Sequence, residues 1–199
     1  MDRSLFRAVN RFADRTGWLH PIATAYAKYG VVLFVLLLAW AWLDARRSND
    51  IQGQAQVGWV GAAAGIALGI GQVVGAVIDR ARPYETMHDV TLLVSRTTDF
   101  SMPSDHATAA GAAAVGLVFV NRRLGILASV MAIVMAATRV YVGAHYPADV
   151  AAGLVLGGSV AALGATYGRN LVRVLLVALT RLPGGHAVFG RPIAEPTSA

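Results

Sequence analysis

Arg139-Val140-Tyr141-Val142-Gly143-Ala144-His145-Tyr146-Pro147-Ala148-Asp149 lies between two apolar runs, residues 124–141 and 149–167. Three similar runs come earlier, at 22–43, 57–78 and 104–120. A bilayer core of about 30 Å takes roughly 20 residues of helix to cross. Five such runs therefore read as five transmembrane helices. The third and fourth are short and separated only by Asn121, Arg122 and Arg123, a tight helical hairpin. The expected fold is all-α, a polytopic membrane helix bundle in one domain over residues 1–182. Residues 171–182 are apolar but carry Arg173 and Arg181, and read as an interfacial or loosely packed tail helix, a sixth span being the alternative. Pro183, Gly184 and Gly185 end it, and 183–199 reads as a flexible tail.

Composition agrees with a membrane protein. The 199 residues are 56% hydrophobic and 14% charged, against about 25% charged in a soluble domain. Cysteine is absent, which excludes disulfides, thiolate metal sites and cysteine nucleophiles. The net charge of +6 is almost all arginine, placed at helix ends or in motifs. That placement fits membrane anchoring and phosphate binding, with no nucleic-acid partner. The Ala, Gly, Val and Arg bias suggests a high-GC bacterial genome, hence a plasma-membrane location.

Residues 1–17 form a separate amphipathic segment. Arg3, Arg7, Arg11 and Arg15 recur every four residues, with Leu5, Val9 and Phe12 on the opposite face and Phe6 beside them. Such a helix lies in the membrane interface. The first apolar run begins after Pro21, too late for an ordinary signal peptide, so no removable targeting segment is expected. Dense small residues, Gly61–Gly65, Gly69, Gly71, Gly75 and 109–114, read as places where helices approach closely. Trp18, Trp40, Trp42 and Trp59 read as interface anchors, and Lys28 as a snorkelling cation.

Five spans put the N-terminus, the 79–103 loop and the 142–148 loop on one side. Residues 44–56, 121–123 and the tail lie on the other. That second side carries Arg46, Arg47, Arg122, Arg123, Arg169 and Arg173 and reads as cytoplasmic by the positive-inside rule. The four N-terminal arginines oppose this, but they also suit anionic headgroups. The first side is read as extracytoplasmic.

Three motifs meet on that first side: Arg80-Ala81-Arg82-Pro83, Pro103-Ser104-Asp105-His106, and Arg139 with His145 and Asp149. A phosphoryl group in transfer spreads charge over its oxygens and needs several donors or a metal. Arg80, Arg82 and Arg139 offer permanently charged forks. Ser104 and the amides opening the third span add donors. No carboxylate-rich metal cluster is evident, so neither metal nor cofactor is expected. His145 is the candidate nucleophile, with Asp149 hydrogen-bonded to its other ring nitrogen. His106 is the candidate acid and base. Asp105 pairs with Arg80 or Arg139, tunes His106, or simply favours the helix dipole. The 79–103 loop reads as an active-site lid. Within it Glu85, His88, Asp89 and Arg96 are further candidates, His88 being either a distal-phosphate contact or a surface residue.

This set resembles the type-2 phosphatidic acid phosphatase superfamily, whose pattern is Lys-x6-Arg-Pro, Pro-Ser-Gly-His and Ser-Arg-x5-His-x3-Asp. The match runs from Arg82 to Asp149. Gly75 stands at the lysine position, Asp105 at the glycine and Thr138 at the serine. Pro-Ser-Asp-His, His-Tyr-Pro-x-Asp and the N-terminal amphipathic helix are similar to the bacitracin-resistance branch, the undecaprenyl-diphosphate phosphatases. The resemblance implies a nucleophilic His145, an acid His106, an orienting Asp149 and phosphate ligands Arg82, Ser104 and Arg139. It also implies an extracytoplasmic site and a lipid partner bearing a phosphate or diphosphate. Two alternatives stay open: a phosphatidate or phosphatidylglycerophosphate phosphatase, and a non-catalytic lipid-binding or transport protein, for which Gly75 speaks.

Overall fold

A computed structural model describes residues 1–180, all helix and connecting segments with no strand among them. Helix α1 (Asp2–Arg15) leads through a 3₁₀ turn, Gly17–Leu19, into α2 (His20–Arg47). Then come α3 (Ile51–Ile78), a single turn α4 (Pro83–Thr86), α5 (Asp105–Val120), α6 (Arg122–Tyr141) and α7 (Pro147–Thr180). The boundaries have local causes. Asp50 accepts the Gly53 N–H at 2.9 Å and opens α3. Asp79, in the left-handed region at φ 47°, closes it. Asn121 alone separates α5 from α6, and its side chain accepts the Arg123 and Leu124 N–H groups. Pro21, Pro83 and Pro147 sit in first turns, where a missing N–H costs nothing.

Helices α2, α3, α6 and the 147–165 part of α7 are long and apolar enough to cross a membrane. Helix α5, at 16 residues, is about 24 Å long and short for a bilayer. It is the hub, packed against α7, α3 and α6. Its buried face is mostly alanine and glycine, which lets neighbouring backbones close in. A Cβ on Gly157 would lie 1.9 Å from the Thr108 carbonyl oxygen. The outer faces of the long helices are largely apolar: Val32, Leu36, Val73, Val77, Ile133 and Leu163 are all exposed, as lipid-facing side chains are.

Several expectations need correction. Residues 171–180 are not a separate tail helix but the continuation of α7, because no proline interrupts the chain there and Gly168 and Asn170 are accommodated within the helix. The expected tail at 183–199 lies outside the described residues. Gly61, Gly65 and Gly69 have open space beside them, so they bring no helix close. The close approach is made by Gly111, Gly153 and Gly157 on the α5–α7 seam. Trp59 reaches α7, donating its indole N–H to the Ala161 carbonyl at 3.1 Å. Helix α1 has three faces rather than two. Phe6, Asn10 and Ala13 are buried against the protein, Leu5 and Phe12 are exposed, and the arginines form a third, basic stripe.

Gly157→Leu should therefore destabilise the protein by about 3 kcal/mol or more, since overpacking there meets backbone rather than a yielding side chain. Gly61→Leu should leave thermal unfolding in detergent unchanged. Equal melting temperatures for the two variants would contradict this packing.

Candidate active site

The ends of five helices meet at one end of the bundle: the starts of α2, α5 and α7 and the finishes of α3 and α6. Together with the segment between α3 and α5 they enclose a cavity of about 680 Å³. Arg82, Asp105, His106, Arg139 and His145 line it; Arg80, Ser104 and Asp149 do not. All three motifs thus reach one place, but not all their side chains face one space. Gly143, at φ 80°, turns the chain from α6 toward His145. A Cβ there would fall 2.6 Å from the Thr91 carbonyl oxygen.

His145 is buried, at 2% exposure. Its Nδ1 lies 2.8 Å from the Ser101 carbonyl oxygen. That oxygen only accepts, so Nδ1 carries the proton and Nε2 keeps its lone pair. Nε2 faces Arg82 Nη1 at 3.2 Å and Arg139 Nη2 at 3.4 Å. Burial, then the charges of Arg139 and Arg82, push the imidazole well below its ordinary value of 6.5. The ring stays neutral in the folded protein. Its folded value lies below the unfolded one, so this contribution to stability is complete above 6.5 and is lost as pH falls through the folded value.

The two arginines are held differently. Arg82 donates to the Ala144 carbonyl (3.1 Å), the Asp99 carbonyl (3.2 Å) and the Asp99 carboxylate (2.9 Å). Its own N–H is accepted by Glu85 at 2.8 Å, which fixes α4. Burial alone would raise the Asp99 carboxyl, but hydrogen bonds and the Arg82 charge hold it below the usual carboxylate range. Arg139 donates to the Ala27 carbonyl on α2 at 3.3 Å. Among the described residues it forms no ion pair, and its buried Nε has no partner. Arg139 therefore brings to the cavity a positive charge that no ion pair among the described residues neutralises.

Asp149 departs from expectation. Its Oδ2 is 3.9 Å from His145 Nδ1, too far for a hydrogen bond. The Ser101 backbone carbonyl takes that place. The carboxylate instead accepts from Ser101 Oγ (2.5 Å), the Tyr146 N–H (2.8 Å) and Arg80 Nη1 (2.6 Å). Asp149 thus holds the backbone amide that follows the histidine and the side chain of Ser101, whose carbonyl meets the ring. Arg80, expected as a substrate ligand, is engaged by Asp149 and Asp2 and stacks 4.2 Å over the Tyr146 ring. Its guanidinium organises the site from behind.

Ser104 caps α5 and is fully buried, and its hydroxyl has no partner. Asp105 accepts from Gln72 at 3.2 and 3.3 Å, rather than pairing with Arg80 or Arg139. His106 lines the cavity and makes no hydrogen bond to the described residues. Gly75 lines it too: a Cβ there would lie 3.0 Å from the Phe100 ring, so an aromatic edge occupies the space beside the family lysine position. Lys28 also faces the cavity. It is a cavity cation rather than a simple interface anchor, and a lysine inside an apolar run is itself a functional signal. Gln72 carried the same signal; Asp99 and Ser101 carried none. His88 is exposed in a second cleft beside Arg3 and Arg7, away from this cavity. Arg96 lies over the Tyr84 ring at 5.5 Å. No group of three or more His, Cys, Asp or Glu among the described residues is placed to hold a metal ion.

A bundle of apolar helices with a cation-lined cavity at one end defines a membrane protein with a site suited to an anion. The chain belongs to the PAP2 superfamily, whose family model matches residues 56–173. It is 29% identical over 156 residues to undecaprenyl-diphosphatase BcrC of Bacillus subtilis, covering 78% of each chain. It is 30% identical over 161 residues to the putative undecaprenyl-diphosphatase YbjG of Escherichia coli, covering 79% of this chain and 77% of that one. In fold it is similar to the crystal structure of a PAP2-type phosphatidylglycerolphosphate phosphatase from Bacillus subtilis. The TM-score is 0.56 at 23% identity, over 91% of this chain and 89% of that one.

In the ligand-free protein, NMR of labelled histidine should show His145 titrating well below 6.5 with the proton on Nδ1. A midpoint near 6.5, or a proton on Nε2, would contradict the geometry.

Proposed function

We propose that this phosphatase hydrolyses a polyprenyl diphosphate, undecaprenyl diphosphate, to the monophosphate and inorganic phosphate in a bacterial plasma membrane. Residues 1–182 act as one domain in this reading. The observation that carries it is the Nε2 lone pair of His145, facing a cavity between two guanidinium groups. Arg82 and Arg139 turn their donors to the equatorial oxygens of the distal phosphoryl group. Nε2 attacks phosphorus, and the bond from phosphorus to the bridging oxygen breaks. The negative charge of the bound diphosphate favours the protonated form of His106, which gives its proton to that oxygen, and the lipid monophosphate leaves. His106, now neutral, takes a proton from water, which attacks the phosphohistidine. Inorganic phosphate departs and neutral His145 returns. The charge on the phosphorylated ring is met by the Ser101 carbonyl at Nδ1, with Asp149 behind it.

The diphosphate assignment is supported by the similarity to the undecaprenyl-diphosphatase BcrC and the putative undecaprenyl-diphosphatase YbjG, each matched over about three quarters of its length. Lys28 supports it too, as a third cation on the cavity wall for a second phosphate. The unpartnered Nε of Arg139, a residue on the cavity wall, is a donor that a bound anion would satisfy. An extracytoplasmic site is supported by Arg46, Arg47, Arg122 and Arg123 at the opposite end of the bundle. The lipid tail remains among the exposed apolar faces of the helices.

Phosphate release by purified protein in detergent, with a metal chelator present, tests the assignment. Undecaprenyl diphosphate should be cleaved faster than phosphatidate or phosphatidylglycerophosphate. His145→Ala should lower turnover by roughly 10⁴-fold or more. Preference for a glycerophospholipid would overturn the substrate, and activity surviving in His145→Ala would overturn the mechanism.

A further inference from the structure

We infer that Asp2, on the interfacial helix α1, is a positioning residue for this phosphatase centre. It holds Arg80 and the first turn of α7, and through them the orientation of His145. The inference rests on the proposed role of His145 and adds a part that the three motifs do not contain.

The Arg80 guanidinium sits between two carboxylates. Nη2 meets Asp2, and Nη1 meets the fully buried Asp149 at 2.6 Å. Its face lies 4.2 Å over Tyr146, the residue after the histidine. The second Asp2 oxygen accepts the Ala148 N–H at 2.9 Å. That amide is one of the free donors at the start of α7, where a negative charge is favoured. The backbone of Arg80 joins the same cluster, because its carbonyl accepts the Ser101 N–H at 2.9 Å. Ser101 then offers its carbonyl to His145 and its hydroxyl to Asp149. Both ends of Arg80 therefore grip the groups that fix the imidazole.

Helix α1 is seated firmly enough to serve as the anchor. Phe6 packs edge-on against Tyr146 with ring centroids 5.5 Å apart. Asn10 exchanges two hydrogen bonds of 2.9 Å with the Thr91 backbone. An ion pair with both side chains about a quarter exposed adds little stability by itself. What it supplies is geometry. Without Asp2, Arg80 keeps one carboxylate and gains freedom to swing. Asp149 then loses a fixed partner, and the Ala148 N–H loses its acceptor. A displacement of about 1 Å at a reacting group can cost on the order of 10²-fold in rate.

The test compares kcat and KM for wild type, Asp2→Ala, Asp2→Asn, Asp2→Glu, Arg80→Ala, the Asp2→Ala/Arg80→Ala double variant and His145→Ala. The substrate is whichever phospholipid or polyprenyl diphosphate the wild type cleaves fastest, and melting temperatures are read alongside. Asp2→Ala should lower kcat roughly 10- to 100-fold, with KM within about threefold of wild type. Asp2→Glu should recover most of the loss. The double variant should be no worse than Arg80→Ala, since the two act as one unit. Asp2→Asn keeps an acceptor for Ala148 and reads the charge effect if the alanine variant folds poorly. Unchanged kcat in both Asp2→Ala and Asp2→Asn, or additive losses in the double variant, would overturn the inference while leaving His145 in place. An active His145→Ala would remove the role that Asp2 is inferred to support.

Discussion

Two guanidinium groups within 3.4 Å of one imidazole nitrogen coexist in a buried site only while that imidazole is neutral. Much of the surrounding structure meets this condition. The Ser101 carbonyl holds the proton on Nδ1, so the lone pair and the two forks point into the same space. Asp99 neutralises part of the Arg82 charge, while no described carboxylate pairs with Arg139. The result is a surplus of donors and positive charge around a neutral imidazole. Such a cavity discriminates for an anion and holds fixed dipoles where charge moves during phosphoryl transfer.

The same condition reaches into the packing. His145 lies in the link between α6 and α7, and His106 sits in the first turn of α5. Their relation depends on how closely α5 and α7 approach. Backbone contact at Gly111, Gly153 and Gly157 sets that distance, and larger side chains on this seam would part the helices. The Ser104 N–H donates to the Asp149 carbonyl at 3.1 Å, a direct bond between the two helix starts. Helix packing and site geometry are therefore one problem in this protein, and the seam is where they meet.

The helical architecture was legible because membrane spans are written in long apolar runs, and the three motifs fall where such runs begin or end. Arg82, Arg139, His145 and His106 come together as the spacing suggested. What the sequence did not disclose is mainly backbone chemistry and long-range pairing. A carbonyl such as that of Ser101 has no signature in a residue's identity, so Asp149 was expected to bond the histidine directly. Arg80 was expected on the substrate because its partner Asp2 is 78 positions away. For Asp105 an arginine partner was one of three readings, and the partner is instead Gln72, a polar residue inside an apolar span. Short-range capping, by contrast, was written locally: Asp50, Asn121 and the prolines act within a turn of where they stand.

Phosphorylation of the histidine itself is the most direct test of this account. Wild-type protein would be mixed with a diphosphate lipid labelled on its distal phosphate, quenched within milliseconds in alkali, digested and mapped by mass spectrometry. The expected result is an alkali-stable, acid-labile phosphoryl group on the peptide carrying His145, absent from the His145→Ala variant. Label on another residue, or product formed by wild type with no covalent phosphate ever trapped under rapid quench, would contradict it.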